Sequence, residues 1–337
     1  MNILIDVGHP AHIHFFNPII KRLEQDGHTY FLCIREKDCS VQIATSYNLN
    51  YTSKGKGSYS LIFKPFYLIR AIRKIYKTAK SFNPDIFLSF ASPYAGIVAS
   101  FMHKPHITFD DTESDPILQW IYKRYSSKII TPKCFQKDFG KKHLRVNSYK
   151  ELSYLNFQQF QENADYKNDQ DYILVRIVNH GNMHDVFGKK WDYKTKMQFI
   201  KNISEKYPVL ISSEVALPKN LEKFRFNLSE DKFLQVLAHA KLLVGESATV
   251  AMESALLGIP SLFIDYNTRG YITEVEKDYN LIKHIIPSEE GLSEATEFIH
   301  QIMNKQTNQG YKERAENLHS EKENIVNFII KQVYLTA

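Results

Sequence analysis

The sequence predicts an α/β protein with two domains, each built on a doubly wound sheet, and three observations support this. Short apolar runs alternate with stretches of helical periodicity along the 337 residues, which is typical of repeated strand–helix units. The alternation stops at 151–170, where Gln, Asn and Asp are abundant, and then begins again. A chain of this length with 43% apolar residues can form two cores of ordinary size.

The first half begins with a strand and repeats the strand–helix pattern. Strands are predicted at 2–7, 29–34, 85–90 and 106–109, and the last two directly follow Pro84 and Pro105. Helices are predicted at 15–25, which Gly27 would end, and at 66–80. We therefore place the first domain at 1–160.

The second half shows the same pattern after the polar stretch. Strands are predicted at 172–178, 209–212, 242–244 and 261–265, and 311–334 is predicted to be helical. These elements place the second domain at 171–315 and leave a final segment at 316–337. Two such domains would leave a cleft at the C-terminal ends of their strands, where doubly wound folds bind ligands.

The segment 242–265 has the pattern of strand, capped helix, sharp stop and strand. Ser247 is a good N-cap, Gly258 suits a left-handed C-cap, and Pro260 prevents continuation of the helix. A diphosphate beside Ser247 would meet unpaired backbone N–H groups and the positive end of the helix dipole. Glu253 can accept both hydroxyls of a ribose. The alternative is an ordinary capped helix with Glu253 in solvent. The candidate ligand-binding residues here are Gly245, Ser247, Ala248, Thr249 and Glu253.

Three histidines, His9, His12 and His14, follow the first strand at a predicted strand-to-helix turn. An imidazole titrates near neutral pH, as a general base must, and His9 and His14 are the candidates. Two alternatives remain open: the imidazoles cap the helix, or His12 and His14 form a metal-binding His-x-His pair. Pro10 argues against the metal because it breaks the strand before either histidine.

Carboxylates at the end of strand 106–109 form a second group of catalytic candidates. Asp111 and Glu113 would lie where a carboxylate can orient a catalytic His, act as a base or bind sugar hydroxyls. The alternative is N-capping of a helix at 114–125, for which Asp115 and Pro116 provide an equally good start.

Strand 172–178 contains Arg176, which is costly to bury within an apolar run unless an anion meets it. Arg176 and the downstream His184 are therefore candidates for contact with a diphosphate. Glu214 and Arg269 are less specific, since surface salt bridges explain them equally well.

The segment 63–80 combines an apolar face with basic residues and contains no acidic residue. The apolar face is expected to be core. The basic remainder, together with Phe63, Phe66 and Tyr67, is either a solvated surface or a contact with anionic lipid.

Composition excludes several classes of protein. Cys33, Cys39 and Cys134 have no CxxC spacing, so neither a disulfide framework nor structural zinc is expected. The start lacks a basic, apolar leader and no stretch approaches the ~20 apolar residues of a bilayer span, so we expect a cytoplasmic protein. A net charge of +6 without a DNA-binding motif favours an anionic ligand or membrane surface over nucleic acid. No resident cofactor or metal is expected.

Several phrases resemble known families. VGESATVAMESALLGIP, with Ser247, Glu253 and Gly258-Ile259-Pro260, resembles the C-terminal-domain signature of GT-B nucleotide-sugar enzymes. These include the N-acetylglucosaminyltransferase of peptidoglycan precursors and the UDP-N-acetylglucosamine 2-epimerases. Over nearly the whole chain, phrases such as MNILIDVGHPAHIHFFNPIIKRLEQDGH, FDDTES and TRGYITEVEKDY are similar to the family called domain of unknown function 354. The resemblance implies a GT-B architecture, in which two Rossmann-like domains face a central cleft and the last helix crosses back to the first domain.

The resemblance also implies roles for residues. Ser247 would hold the diphosphate of a nucleotide-sugar donor, expected to be UDP-linked, and Glu253 its ribose. His9 or His14 would take the proton of an acceptor hydroxyl, and Asp111 and Glu113 are chosen by the same resemblance. We expect a metal-independent glycosyltransferase acting on a polysaccharide, lipid-linked or other glycan acceptor, with peripheral contact at the inner face of the membrane. A UDP-sugar 2-epimerase or hydrolase, and a non-catalytic glycan- or lipid-binding relic of the fold, remain alternatives.

Overall fold

The computed structural model describes residues 1–37, 39–57, 64–113, 115–155, 170–179, 191–226 and 232–337. The chain forms two compact units. The first consists of Met1–Tyr154 and Glu323–Ala337, and the second of Leu155–Lys322. The sequence placed the corresponding boundaries at 160/171 and 315/316.

The first unit contains a parallel sheet of seven described strands in the order β3-β2-β1-β4-β5-β6-β7. The strands are β1 (Asn2–Val7), β2 (Thr29–Glu36), β3 (Tyr51–Lys56), β4 (Ile86–Phe90), β5 (His106–Phe109), β6 (Lys128–Pro132) and β7 (His143–Val146). The helices between them are α1 (Pro10–Gln25), α2 (Ser40–Ser46), α3 (Lys64–Phe82), α4 (Pro93–Phe101) and α5 (Pro116–Tyr125). The strand order reverses between β1 and β4, where such sheets bind ligands beyond the carboxyl ends of their strands.

The second unit contains a parallel sheet of five described strands in the order β12-β11-β10-β8-β9. The strands are β8 (Ile173–Ile177), β9 (Val209–Ser213), β10 (Leu242–Gly245), β11 (Ser261–Ile264) and β12 (Ile282–Ile285). The helices are α6 (Tyr193–Ser204), α7 (Lys219–Glu222), α8 (Phe233–Ala238), α9 (Ala248–Leu256), α10 (Gly270–Glu274), α11 (Glu289–Met303) and α12 (Gln309–Glu321). A π-helical turn, Val275–Tyr279, continues α10.

A last helix, α13 (Ile325–Tyr334), belongs to the first unit and packs against α1. Ile329 and Val333 of α13 join Ile19 of α1 and Ile5 of β1 in one core cluster. On the other face of this sheet, Ile75 of α3 and Val98 of α4 form a separate cluster with buried strand residues. Helices α1, α3, α4 and α13 therefore each bury apolar side chains against this sheet, as the helical periodicity predicts.

The predicted α/β class is confirmed, and the strands at 2–7 and 106–109 have the predicted bounds. The predicted start of the first helix was wrong. Helix α1 begins at Pro10 rather than at residue 15, because proline is well suited to the first helical position and His9 provides the N-cap. The predicted helix at 311–334 is two helices, interrupted between Glu321 and Ile325. No described helix is long and apolar enough to cross a membrane.

Candidate functional site

In the second unit, Gly245 lies at the carboxyl end of β10, directly beside Arg176 of β8. A Cβ atom at Gly245 would lie 2.6 Å from the carbonyl oxygen of Arg176, which is closer than side-chain atoms approach. Only glycine therefore allows this separation of the two strands. The chain leaves β10 at Gly245 and enters α9 at Ala248, three residues later.

The N-terminus of α9 has the capping that the sequence predicted. The Oγ of Ser247 accepts a hydrogen bond from the N–H of Val250 at 3.3 Å. Ser247, Ala248 and Thr249 are partly exposed. Among the described residues, the N–H groups of Ala248 and Thr249 have no acceptor. They form, with the helix dipole, an open site for a negatively charged group.

The C-terminal stop of α9 also follows the prediction. Gly258 has a φ of 71°, in the left-handed region that favours glycine. A Cβ atom there would lie 2.9 Å from the Cα of Lys312 in α12. Glu253 is 6% exposed, so the alternative in which it lies in solvent was wrong. Its role with a ribose stays a prediction.

Arg176 meets a carboxylate of this chain. Its Nη1 donates to the Oγ of Ser212 at 2.7 Å, and its Nη2 donates to Glu214. The backbone N–H of Asn179 donates to the same carboxylate at 2.9 Å. The salt-bridge alternative for Glu214 is thus confirmed, and the contact of Arg176 with a diphosphate stays a prediction. His184, with the neighbouring His180, lies outside the described residues.

A buried ion pair beside Ser247 was not predicted. Lys196 of α6 contacts the carboxylate of Glu246 at 2.6 Å, and both side chains are nearly inaccessible. Glu246 directly precedes the N-cap, so its charge would repel an anion bound at the start of α9 if it were unpaired. Lys196 neutralises it. The signal in the sequence was a lysine within the buried face of a helix.

In the first unit, the three histidines lie at the start of α1 and not in a loop. His9 is the N-cap, and its Nδ1 accepts a hydrogen bond from the N–H of Ala11 at 3.2 Å. The lone pair of Nδ1 is therefore occupied, and neutral His9 carries its proton on Nε2 while the cap is intact. The capping alternative is confirmed for this residue. In this state His9 is a hydrogen-bond donor.

His14 and His12 have environments that favour neutral imidazoles. Burial lowers the pKa of His14 to about 4, and its Nδ1 forms a hydrogen bond of 2.7 Å with the hydroxyl of Tyr47. His12 stacks on Phe90 with ring centroids 4.0 Å apart. Burial and the nearby His9 hold the pKa of His12 well below its usual value. The described residues contain no group of three His, Cys, Asp or Glu suited to a metal ion.

The carboxylates that follow β5 differ in their burial and in their hydrogen-bond and ion-pair partners. Asp111 pairs with the buried Lys150 at 2.7 Å, and Lys150 also contacts Glu151 at 2.5 Å. The Oε1 of Glu113 is buried without a hydrogen-bond partner among the described residues. Asp115 caps α5 by accepting from the N–H of Leu118 at 3.2 Å, so the capping alternative does not involve Asp111 or Glu113.

Asp110 is a further buried carboxylate, which the sequence did not indicate as a site residue. Its side chain is 2% exposed and accepts hydrogen bonds from the hydroxyl of Tyr122 at 2.5 Å and the N–H of Thr112 at 3.0 Å. Burial, reinforced by the charge of Asp111, raises the pKa of Asp110 to about 7. A carboxyl group with this pKa can exchange a proton at neutral pH.

A second unpredicted cluster lies at the strand-order reversal. Asp6 near the end of β1 pairs with Lys54 of β3 and accepts from the Oγ of Ser92, the N-cap of α4. Lys54 also donates to the carbonyl oxygen of Val7 at 3.1 Å. All three charged or hydroxyl side chains are buried. An aspartate within the apolar strand NILIDV was the available signal.

Solved structures with the same fold match nearly the whole chain. The UDP complex of S. aureus MnaA has a TM-score of 0.73 at 10% identity, covering 99% of this chain and 96% of that one. The Methanocaldococcus jannaschii UDP-GlcNAc 2-epimerase with UDP-GlcNAc and UDP has a TM-score of 0.68 at 16% identity, covering 95% and 100%. MurG of Acinetobacter baumannii has a TM-score of 0.61 at 14% identity, covering 99% of each chain. At these identities the likeness shows the fold, which is GT-B, as the sequence predicted.

The sequence also shows which family the chain belongs to. Residues 1–176 match the family described as protein of unknown function DUF354. The match extends over more than half of the 337 residues, and the chain belongs to this family. No curated protein has a significant sequence match to this chain.

Proposed function

We propose that the protein is a GT-B enzyme that binds a nucleotide-diphosphate sugar in its second unit and transfers the sugar to a glycan or lipid-linked acceptor. The observation that carries the proposal is the open N-terminus of α9. Its N–H groups at Ala248 and Thr249 have no acceptor in the described part of the chain, and they follow a strand that ends at Gly245, which has no side chain. The adjacent Glu246 is neutralised by Lys196. A diphosphate fits the charge and the donors of this site.

The relatives in fold support the choice of ligand. MnaA and the M. jannaschii epimerase have structures with UDP, and the latter also with UDP-GlcNAc. UDP is therefore the first nucleotide to test. In the proposal Ser247 and Thr249 contact the diphosphate, and Glu253 binds the ribose.

The transfer step needs an attack on the sugar and the release of the nucleotide. The acceptor oxygen forms a bond to the anomeric carbon, the bond between that carbon and the diphosphate oxygen breaks, and the acceptor proton passes to a base. The dipole of α9 and Arg176 would stabilise the charge on the leaving diphosphate. No metal is needed for this step, because the helix terminus supplies the compensating charge.

His14 fits the role of base better than His9. If the Nδ1–H of His14 donates to Tyr47, the lone pair of Nε2, for which no described residue is a partner, can accept the acceptor's proton. His9 lacks a free lone pair as long as its Nδ1 caps α1. Its pKa of about 4 is below the near-neutral value expected from the sequence, so His14 is a weaker base than an ordinary imidazole but is unprotonated at neutral pH.

A 2-epimerase is the second candidate, and Asp110 is the observation that favours it. Epimerisation removes a proton from C2 of the sugar and returns one to the opposite face, which requires groups that change protonation near neutral pH. Asp110 has a pKa of about 7 and lies next to Asp111 in sequence. Glu113, three residues further along the chain, and Glu151, which shares Lys150 with Asp111, extend this set.

The proposal also states where in the cell the protein acts. Peripheral contact with an anionic membrane through 63–80 would bring the protein to a lipid-linked acceptor, and the expected site is the inner face of the membrane. The basic residues of this segment support such contact.

One experiment separates the candidates. The protein is incubated with UDP-sugars in D2O, with and without a lipid-linked or glycan acceptor. Release of UDP that requires acceptor supports the transferase, whereas deuterium at C2 without acceptor supports the epimerase. Absence of both reactions across a panel of nucleotide-sugars would contradict the enzymatic proposal.

A further inference from the structure

Helices α3, α4 and α5 lie side by side on one face of the first unit's sheet. The rings of Tyr67 in α3 and Tyr94 in α4 are 5.9 Å apart. Helix α5 approaches α4 closely at Gly96, where a Cβ atom would lie 3.2 Å from the Cβ of Tyr125. Each of the three helices follows a parallel strand, so their N-termini lie at the same edge of the sheet.

Large apolar side chains are exposed near the N-termini of the two outer helices. Ile69 of α3 is 49% exposed, and Ile117 and Trp120 of α5 are 57% and 70% exposed. Phe66, one turn before Ile69, is 68% exposed. Neighbouring helices pack roughly 8–10 Å apart, so these side chains share one surface about 20 Å wide. Apolar side chains grouped in this way mark an interaction site more often than isolated ones do.

The same helices carry positive charge only. Residues 66–82, 93–101 and 116–125 contain seven Lys or Arg and no Asp or Glu, in a chain with 43 basic and 37 acidic residues. Among the described residues, no ion pair involves the six of them that are exposed: Arg70, Arg73, Lys77, Lys80, Lys123 and Arg124. The nearby carboxylate of Asp115 is engaged as the N-cap of α5.

We propose that these exposed residues of α3 and α5, with α4 between them, form a surface that docks the first unit on an anionic lipid bilayer. We call it the three-helix surface. It rests on the membrane contact proposed for 63–80 and enlarges it by α4 and α5. The basic side chains contact lipid phosphates, while Ile69, Ile117 and Trp120 enter the interface between headgroups and acyl chains.

Lipid fits the surface better than a nucleic acid does. A phosphate backbone would use the basic residues but would gain nothing from exposed isoleucines. In a bilayer, each apolar side chain that leaves water contributes to binding, and tryptophan is favoured at the interface. An anionic membrane therefore explains the apolar and the basic residues together.

The test measures binding of the full chain to phosphatidylcholine vesicles with and without phosphatidylglycerol, by co-sedimentation. We expect binding that requires the anionic lipid and weakens with salt. Trp120→Glu and the double variant Arg70→Glu/Arg73→Glu should each weaken binding by at least about 10-fold. In a Trp191→Phe background, Trp120 is the remaining tryptophan, and its fluorescence should shift to the blue on vesicle binding.

Matched controls come from the opposite face of the same sheet. Leu335, which follows α13, is 66% exposed, and Leu335→Glu should bind vesicles like the wild type. Lys21→Glu/Lys331→Glu, on α1 and α13, reverses the same number of charges and should weaken binding far less than the α3 variant.

Equal binding to both kinds of vesicle, or equal loss in test and control variants, would overturn the proposal. So would binding of a single-stranded RNA without binding of anionic vesicles. Vesicle binding needs no nucleotide and UDP binding needs no vesicle, so failure of the three-helix surface is distinguishable from failure of the enzymatic proposal.

Discussion

Asp110 should make the stability of the first unit depend on pH in a way that Asp110→Asn abolishes. The pKa of this carboxyl group is raised from 3.8 to about 7 in the folded chain, mainly by burial. Between pH 3.8 and about pH 7, the folded state therefore keeps a proton that the unfolded state has released. The associated stability is fully present below pH 3.8 and is lost as the pH rises towards 7.

The magnitude follows from the size of the shift. About three pKa units at 1.36 kcal/mol each correspond to roughly 4 kcal/mol between pH 4 and pH 8. The side chain is 2% exposed, so solvent screening reduces this value little. The free energy of unfolding of the wild type, minus that of Asp110→Asn, should fall by this amount across the range. Tyr122→Phe removes a hydrogen bond that lowers the pKa, so it should move the decline to higher pH.

The assay is urea unfolding of the first unit at a series of pH values. Trp120 lies in the first unit and Trp191 in the second, so Trp191→Phe makes fluorescence report the first unit alone. Wild type and Asp110→Asn are compared in that background. A difference in the free energy of unfolding that stays constant from pH 4 to pH 8 would refute the assigned pKa of Asp110.

The remaining predictions concern ligand binding and turnover. Glu253→Ala should weaken UDP binding by about 1.5–3 kcal/mol in calorimetry, since a charge-assisted pair of hydrogen bonds is lost, and an unchanged affinity would refute the ribose role. His14→Ala should lower turnover by about 10²–10⁴ with donor affinity nearly unchanged, because a general base acts in the transition state, and His9→Ala should lower turnover far less. If the base is His14, turnover should fall only below about pH 4, where its imidazole becomes protonated. A loss of only a few-fold in both variants would transfer the role to a carboxylate such as Asp110 or Asp111. Turnover should survive EDTA, and a loss restored by a divalent ion would contradict metal independence.

The sequence predicted most of the core strands because they are short apolar runs bounded by glycine or proline. It missed β3, whose sequence YTSKGK is polar. Lys54 in that strand is buried only because Asp6, distant in sequence, neutralises it. A pairing of this kind depends on strand order, which local periodicity does not encode.

The candidate site residues also divide into those whose role the local sequence predicts and those whose environment depends on the fold. The caps of α9 were predictable because Ser247, Gly258 and Pro260 act through local backbone geometry. The histidines were predicted to lie in a turn because the first helix was predicted to begin at residue 15, whereas Pro10 is its first residue. The raised pKa of Asp110 arises from burial and from its neighbours in the fold, and no spacing in the sequence reveals it.

The most direct test of the central claim is a calorimetric titration of nucleoside diphosphates, beginning with UDP, into the wild type and two variants. Thr249→Glu places a negative charge in the first turn of α9, where it should preserve the helix but repel a diphosphate. Asn327→Glu adds the same charge to the first turn of α13 in the first unit and serves as the control. We predict that the wild type and Asn327→Glu bind a nucleoside diphosphate equally, and that Thr249→Glu binds it at least about 10-fold more weakly. Equal binding by all three proteins, or no binding of any nucleoside diphosphate by the wild type, would contradict the assignment.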